Sequence, residues 1–191
     1  MVTIDTTILA LAGTWALVVG TIVLMYWQTR QAQQLNSANV VMVLRERFDS
    51  TQLRIARRRL SAQLLAGGGL DLPDFQVPSF FELAGAMVRR GVLDKTLVWH
   101  AFGGWVENYY YALCHPIDRV KLARESLHDP LIMVDFEWLN EQMVKIDRRR
   151  LGDAYRLLLP REEESRRILS SETTLGLGEV DATAETIETR E

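Results

Sequence analysis

Three side chains in the middle of the chain, Glu82, His100 and Glu107, are of types that perform acid–base or metal chemistry. A helix would place His100 and Glu107 on one face, two turns apart. Such a pair could bind a metal if a neighbouring helix supplied further ligands, but the sequence lacks the paired Glu-x-x-His motifs of di-iron bundles. Carboxylates near a core are more often paired than catalytic. The sequence therefore predicts that this region holds no metal and no cofactor. We expect His100 and Glu107 to face solvent and Glu82 to pair with an arginine.

The only cysteine, Cys114, stands next to His115, which raises the question of a nucleophile and its base. Adjacent residues rarely orient as a hydrogen-bonded pair, and no third orienting group is evident. We expect Cys114 to be a small buried hydrophobic residue. The glycines at 67–69 do not form a phosphate loop, because no lysine follows them and no strand precedes them. The sequence thus predicts no catalytic residue and a protein that is not an enzyme.

A long apolar stretch is the most specific feature of the chain. Positions 6–29 carry no charged residue, and positions 8–27 would span about 30 Å as a helix, the thickness of the hydrocarbon core of a bilayer. Tyr26 and Trp27 end the stretch with rings that favour the headgroup level. A cleaved signal peptide would have basic residues before the stretch, where only Asp5 is charged. The sequence predicts a short segment at 1–7 and a transmembrane helix at 8–29.

The charges that follow predict the orientation of this helix. Positions 30–59 hold seven arginines and two acidic residues, whereas only Asp5 and the amino terminus precede the apolar stretch. Basic residues favour the cytoplasmic side. We therefore expect a single-pass protein of the inner membrane, with its amino terminus outside and its body in the cytoplasm.

The body, positions 30–159, reads as a small all-α bundle. Apolar residues recur every three or four positions in several runs, and no stretch alternates with the period of a strand. The runs are separated by stop signals at 67–69, Gly91 and Pro116. The last region, 160–191, has nine acidic residues, four arginines and no aromatic residue. Too little apolar surface is available there to offset chain entropy, so the sequence predicts a disordered acidic tail in which 162–168 form a transient helix.

The densest basic cluster, Arg57, Arg58 and Arg59, lies soon after the apolar stretch. Near a membrane surface each such residue contributes about 1 kcal/mol toward anionic lipid. The alternatives are a solvated helix face and pairing with the acidic tail. Nucleic acid is not an expected partner, because the net charge is −3 and no recognition motif accompanies the arginines.

Several blocks of the sequence resemble a known family. These blocks are Phe48-Asp49-Ser50, the long run from Phe80 to Tyr110 that contains Arg-Gly-Val-Leu-Asp at 90–94, and Phe136-Glu137-Trp138-Leu139. Over roughly positions 8–151 the chain looks like the bacterial domain of unknown function 4760 family. The resemblance implies one membrane span and a helical cytoplasmic domain. It implies no activity, and no functional residue is carried over from it.

Two functions of different classes remain open. The first is a membrane-anchored helical interaction or scaffold protein, whose partner is another protein or a second copy. Small residues at Ala12, Ala16 and Gly20 would let two spans approach closely. Its candidate contact residues combine the aromatic cluster, of a type enriched at interfaces, with the basic cluster. They are Trp99, Trp105, Tyr110, Tyr111, Arg57, Arg58 and Arg59. The alternative is a membrane-bound enzyme or sensor with a polar site around Glu82, His100 and Glu107, which requires those side chains to converge.

Overall fold

The computed structural model describes residues 6–67, 75–152 and 161–174, with side chains in the first helix from Val19 onward except at positions 33 and 34. Regular structure in these ranges is entirely helical, which confirms the all-α class. The helices are α1 (Thr6–Phe48), α2 (Thr51–Leu65), α3 (Gln76–Arg89), α4 (Lys95–Cys114), α5 (Arg119–Ser126), α6 (Val134–Leu151) and α7 (Arg161–Thr173).

Helix α1 is continuous through the position where we predicted a boundary between span and body. Its last part packs into the bundle, where Ser37, Leu44 and Phe48 are buried. The large apolar side chains between Val19 and Trp27 are each more than half exposed. Within the described part of the chain, no helix is both long and apolar enough to cross a membrane. Residues 1–5 of the predicted first segment lie outside the described ranges.

The core lies where α1 ends between α3, α4 and α6. Phe48 is fully buried, and its ring centroid lies 5.2 to 5.8 Å from those of Phe80, Phe81, Phe102 and Trp105. Aromatic rings at these separations contribute beyond the apolar area that they bury. The three-and-four spacing of apolar residues therefore predicts the core correctly.

At one end of the bundle, several helices begin or end beside α1. The amide of Asp94 donates to Ser37 Oγ at 2.7 Å, and Arg45 donates to the carbonyl of Ala101 at 2.9 Å, so α4 runs parallel to the packed part of α1. Asp94 caps α4 by accepting from the amides of the next turn, as its position predicts. The last turn of α6 reaches the first turn of α4, because Arg150 contacts the Trp99 ring. We call this region, where α1 enters the bundle beside Ser37 and Asp94, the α1 end of the bundle.

Helix α7 corrects our prediction for 160–191. Residues 161–173 form a helix that lies along α2 and α4 and buries Ser165, Leu169 and Glu172. The prediction of disorder was therefore wrong for this part, and residues 160 and 175–191 lie outside the described ranges. The composition argument failed because it weighed apolar burial, whereas two of the three buried side chains are polar.

Candidate functional site

The predicted polar site begins with Glu82, which the structure assigns to a helix terminus. Its carboxylate accepts from the amide of Asp135 at 3.1 Å and from the amide of Phe136 at 2.7 Å. These amides belong to the first turn of α6, where backbone donors lack partners within the helix. Glu82 therefore joins α3 to α6, which corrects our prediction that an arginine pairs with it.

His100 and Glu107 have different surroundings although they share α4. His100 is exposed, as predicted, and its Nε2 lies 3.3 Å from a guanidinium nitrogen of Arg150. Glu107 is buried, which contradicts the prediction that it faces solvent. Arg161 of α7 donates to its Oε2 at 2.7 Å.

The three residues of the polar site thus do not converge. Glu82, His100 and Glu107 contact α6 backbone amides, Arg150 and Arg161 respectively, and share none of these partners. Among the described residues, no group of three or more His, Cys, Asp or Glu side chains is placed to hold a metal. The alternative of an enzyme or sensor built on this cluster loses the geometry that it required.

Glu107 nevertheless has unusual acid–base properties. Its burial raises the pKa to about 8, helped by a hydrogen bond to Asp147 and by the negative charge of that residue, while Arg161 acts in the opposite direction. Asp147 also accepts from Trp99 Nε1 at 2.5 Å. Burial and the neighbouring carboxylate thus both favour the protonated form of Glu107. The pair joins α4 to α6 beside the first turn of α7.

The basic cluster is divided between the interior and the surface. Arg57, predicted to face outward, is buried; its guanidinium lies 4.0 Å from the centroid of Phe48 and its Nε lies 3.4 Å from Glu172 Oε2. Trp105 Nε1 donates to Glu172 at 3.1 Å. Burial raises the pKa of Glu172, and Arg57 and Trp105 oppose that shift. Arg57 is therefore an internal partner of α7, whereas Arg58 is half-buried and Arg59 is exposed.

The aromatic candidates are all half-buried, and Trp99, Trp105 and Tyr110 contact other helices of the bundle. Trp99 and Trp105 donate to Asp147 and Glu172, as described above. The ring of Tyr110 lies 5.4 Å from that of Phe136, and Tyr111 stacks on His115 at 4.3 Å. Their density in the sequence therefore reflects packing within the bundle as much as any surface for a partner.

Cys114 and His115 do not form the nucleophile pair that their adjacency raised. His115 Nδ1 lies 3.2 Å from the carbonyl oxygen of Tyr111. Burial raises the pKa of the Cys114 thiol, which disfavours the reactive thiolate. The thiol is half-buried, in partial agreement with the prediction of a small buried residue.

A basic cavity lies at the α1 end of the bundle. It has a volume of about 450 Å³ and lies between α1, the turn from α3 to α4, and α6. Its cationic lining residues are Arg30, Arg89 and Lys95, and Trp138 closes one side. Each cation comes from a different helix, so the cavity exists only in the folded bundle.

Comparison with known proteins gives a family. The family model described as Domain of unknown function (DUF4760) matches residues 6–143, well over half of the chain. The chain belongs to this family. The match confirms the resemblance and covers α1 to α5 of this DUF4760 protein, with part of α6, and leaves α7 outside. No match was found among curated proteins or among solved structures.

Sequence reasoning missed two features of this DUF4760 protein. The first is the pair of Glu107 with Arg161, which are far apart in sequence and meet only in the fold. The pair of Arg57 with Glu172, by contrast, agrees with the alternative that the basic cluster pairs with the acidic tail.

The second is the basic cavity. The sequence contained a signal for it, since Arg30 directly follows the apolar stretch and Arg89 precedes a glycine turn. Our sequence analysis used this region only for the stop signal at Gly91.

Proposed function

We propose that this DUF4760 protein is a membrane-anchored interaction module, in which α1 enters the bilayer and the helical bundle contacts a protein partner. The observation that carries the proposal is the continuity of α1. The apolar stretch of the sequence and the fully buried core residue Phe48 belong to one helix. A helix with one end in a core and the other end exposed and apolar needs a second apolar environment.

The described part of the apolar stretch supports a lipid environment. Ile22, Val23 and Met25 are 60%, 61% and 63% exposed, although they point in different directions around the helix. A helix that is apolar on all sides is suited to a membrane or to the centre of a large core. The bundle already has a core that excludes this stretch, so a bilayer is the better match. The finding that no described helix is long and apolar enough to span a membrane does not count in favour of the proposal.

The continuity of α1 limits the distance between the bundle and the apolar stretch. Helix α1 continues without interruption from Trp27 to the contact between Ser37 and Asp94, a rise of about 15 Å. The α1 end of the bundle would thus lie close to the headgroups. The excess of arginine after the apolar stretch supports a cytoplasmic position for this body, below an inner membrane.

The surface offered to a partner lies at the opposite end of α4. Leu122, Leu127 and Leu131 are 53%, 50% and 71% exposed in and after the short helix α5. Exposed leucines that occur together are typical of contact surfaces. This surface replaces the aromatic cluster as the favoured protein contact, because the aromatic side chains have partners within the bundle.

Two matched substitutions on α1 test the anchor. Ile22 and Val43 are 60% and 62% exposed on the same helix, but only Ile22 lies in the apolar stretch. An arginine at the centre of a span costs about 3 kcal/mol of insertion free energy. The full chain is expressed in bacteria, and its retention in membranes after alkaline extraction is measured. We expect retention for the natural chain and for Val43→Arg and a marked loss for Ile22→Arg. Equal behaviour of the two variants would contradict the anchor.

The partner surface has its own test. The full chain in mild detergent is cross-linked and compared with a Leu127→Ser and Leu131→Ser variant. We expect the variant to lose a defined cross-linked species, a heteromer or a dimer, that the natural chain forms. A species that is unchanged in the variant would contradict the α5 surface.

A further inference from the structure

The basic cavity at the α1 end has the size and lining of a ligand site. Its volume of about 450 Å³ falls within the range of small-ligand pockets. Arg30, Arg89 and Lys95 supply two guanidinium groups and one ammonium group, and Trp138 and Gln142 supply an aromatic face and an amide. Guanidinium groups match the oxygens of phosphate in a bidentate geometry, and ammonium groups bind phosphate as point charges.

Two of the three basic side chains that line this cavity have no ion-pair partner among the described residues. Within the described ranges, no carboxylate lies within ion-pair distance of Arg30 or Lys95. Arg89 contacts Asp135 at 3.0 Å, but its side chain is 54% exposed, so the pair is weak. The acidic residue in the lining is Asp94, and its Oδ1 already accepts from the amides of Thr96 and Leu97. An anion would therefore enter the cavity without displacing a strong internal ion pair.

The position of Arg30 indicates the source of that anion. Arg30 lies about 4.5 Å along the helix from Trp27, where the apolar stretch ends. The phosphate groups of a bilayer lie just beyond its hydrocarbon core. With the apolar stretch inserted, Arg30 and the mouth of the cavity would stand at phosphate depth. A free phosphate ion has no such relation to the end of the stretch.

We propose that this cavity binds the phosphate group of an anionic phospholipid, with Arg30, Arg89 and Lys95 as its ligands. The inference rests on the proposed insertion of α1, which sets the depth of Arg30. It moves the lipid contact from Arg57, Arg58 and Arg59 to a different set of residues. Arg57 is engaged with Glu172 in the interior, whereas the new set borders one cavity from three helices.

The test uses the full chain in neutral detergent, where binding can be measured whether or not α1 inserts into a bilayer. Short-chain phosphatidylglycerol, short-chain phosphatidylcholine and inorganic phosphate are titrated separately, and bound molecules are counted by native mass spectrometry. We expect phosphatidylglycerol to bind more tightly than phosphatidylcholine. Equal affinity for the two lipids would overturn the inference, and so would inorganic phosphate binding as tightly as phosphatidylglycerol.

A matched pair of triple variants assigns the site. The variant Arg30→Gln, Arg89→Gln and Lys95→Gln removes three positive charges at the cavity. The control Arg58→Gln, Arg59→Gln and Lys121→Gln removes three positive charges elsewhere on the surface and includes the cluster favoured by the sequence. At about a fivefold loss for each basic residue, we expect the first variant to lose affinity for phosphatidylglycerol by on the order of a hundredfold. The control should keep its affinity, and the reverse result would overturn the assignment.

The design separates this inference from the proposed function. A chain that is extracted from membranes at alkaline pH contradicts the anchor, whatever the lipid titration shows. A chain that stays in membranes but binds both lipids equally contradicts the cavity alone. The single variant Lys95→Gln covers the case in which the triple variant unfolds, because Lys95 is exposed and its replacement should leave the fold intact. We expect it to lower the affinity for phosphatidylglycerol about fivefold.

Discussion

Two regions of this DUF4760 protein are held together by different forces. Around Phe48, the interior consists of aromatic rings from α1, α3, α4 and α6, and Phe81, Phe102 and Phe136 are at most 1% exposed. Along α7, Leu169 is the buried apolar residue, and the other two buried side chains, Ser165 and Glu172, are polar. The polar contacts of α7 include the pair of Arg57 with Glu172, that of Arg161 with Glu107, and the hydrogen bond from Ser165 to the carbonyl of Asn108 at 3.1 Å.

This difference separates a region that depends on apolar area from one that depends on charge and geometry. Apolar burial is non-directional and tolerates pH and salt. A buried ion pair contributes little net stability, but the loss of one partner leaves an uncompensated charge. We therefore expect substitutions near Phe48 to lower global stability, and substitutions or pH changes at α7 to act first on that helix.

The largest effect is expected from Phe81→Ala. The Phe81 ring is fully buried and contacts Phe48, Phe80, Tyr109 and Phe136. Its loss should lower the free energy of unfolding by about 3–5 kcal/mol. Urea denaturation followed by circular dichroism measures this value. If Phe81→Ala lowered the free energy of unfolding no more than an ordinary surface substitution does, the aromatic cluster around Phe48 would not be the core.

The second prediction concerns Glu172→Gln, which keeps the shape of the side chain and removes its charge. Arg57 would then keep only the carboxylate of Asp49, at 4.0 Å and half exposed, as a counter-charge, at a cost of up to about 3 kcal/mol. Hydrogen exchange should become faster by tenfold or more in residues 161–173, while amides around Phe48 keep their protection. Arg57→Met combined with Glu172→Leu should restore part of the loss. Uniformly faster exchange across both regions would contradict the distinction between them.

The third prediction uses two glycines that differ in their surroundings. A Cβ at Gly85 would clash with the backbone carbonyl of Asp135, because α3 and α6 approach closely there, whereas a Cβ at Gly104 meets nothing within 4 Å. Gly85→Ala should destabilise the protein by about 1–3 kcal/mol. Gly104→Ala should stabilise it by about 0.5–1 kcal/mol, because alanine favours the helix. Thermal unfolding of the two variants checks the opposite signs.

The fourth prediction is the pH dependence at Glu107, whose charged neighbours are Asp147, Arg161 and Glu164. Its folded pKa of about 8 lies above its ordinary value of 4.5, so the folded state binds the proton more tightly than the unfolded state. This contribution to stability is complete below about pH 4.5 and is lost as the pH rises through 8. Unfolding measured across this range should show a slope that Glu107→Gln reduces. An unchanged slope in the variant would contradict the raised pKa.

The same contrast explains which parts of the fold could be predicted from the sequence. Apolar periodicity located the core helices, because burial there follows a local pattern. The cap at Asp94 was also predictable, since a cap bonds to amides in its own chain segment. Glu82 was assigned to the wrong partner because the amides it caps are 53 and 54 positions away.

The candidate sites were less predictable for the same physical reason. Helix α7 is polar, so its position depends on Arg57 and Glu172, which are 115 positions apart. The basic cavity needs Arg30, Arg89 and Lys95 to meet in three dimensions, and no spacing in the sequence relates them. Charge complementarity between distant segments leaves no periodic signal.

The most direct measurement of the anchor uses the single cysteine of the chain. With Cys114 replaced by Ser, one cysteine is introduced at Ile22 or at Met42, which are 60% and 64% exposed on the same helix. Each full chain is labelled in membranes with a water-soluble maleimide and again in denaturant. An anchored α1 predicts that position 42 reacts rapidly and that position 22 reacts only after denaturation. Equal rapid labelling of both positions in the membrane would contradict the account.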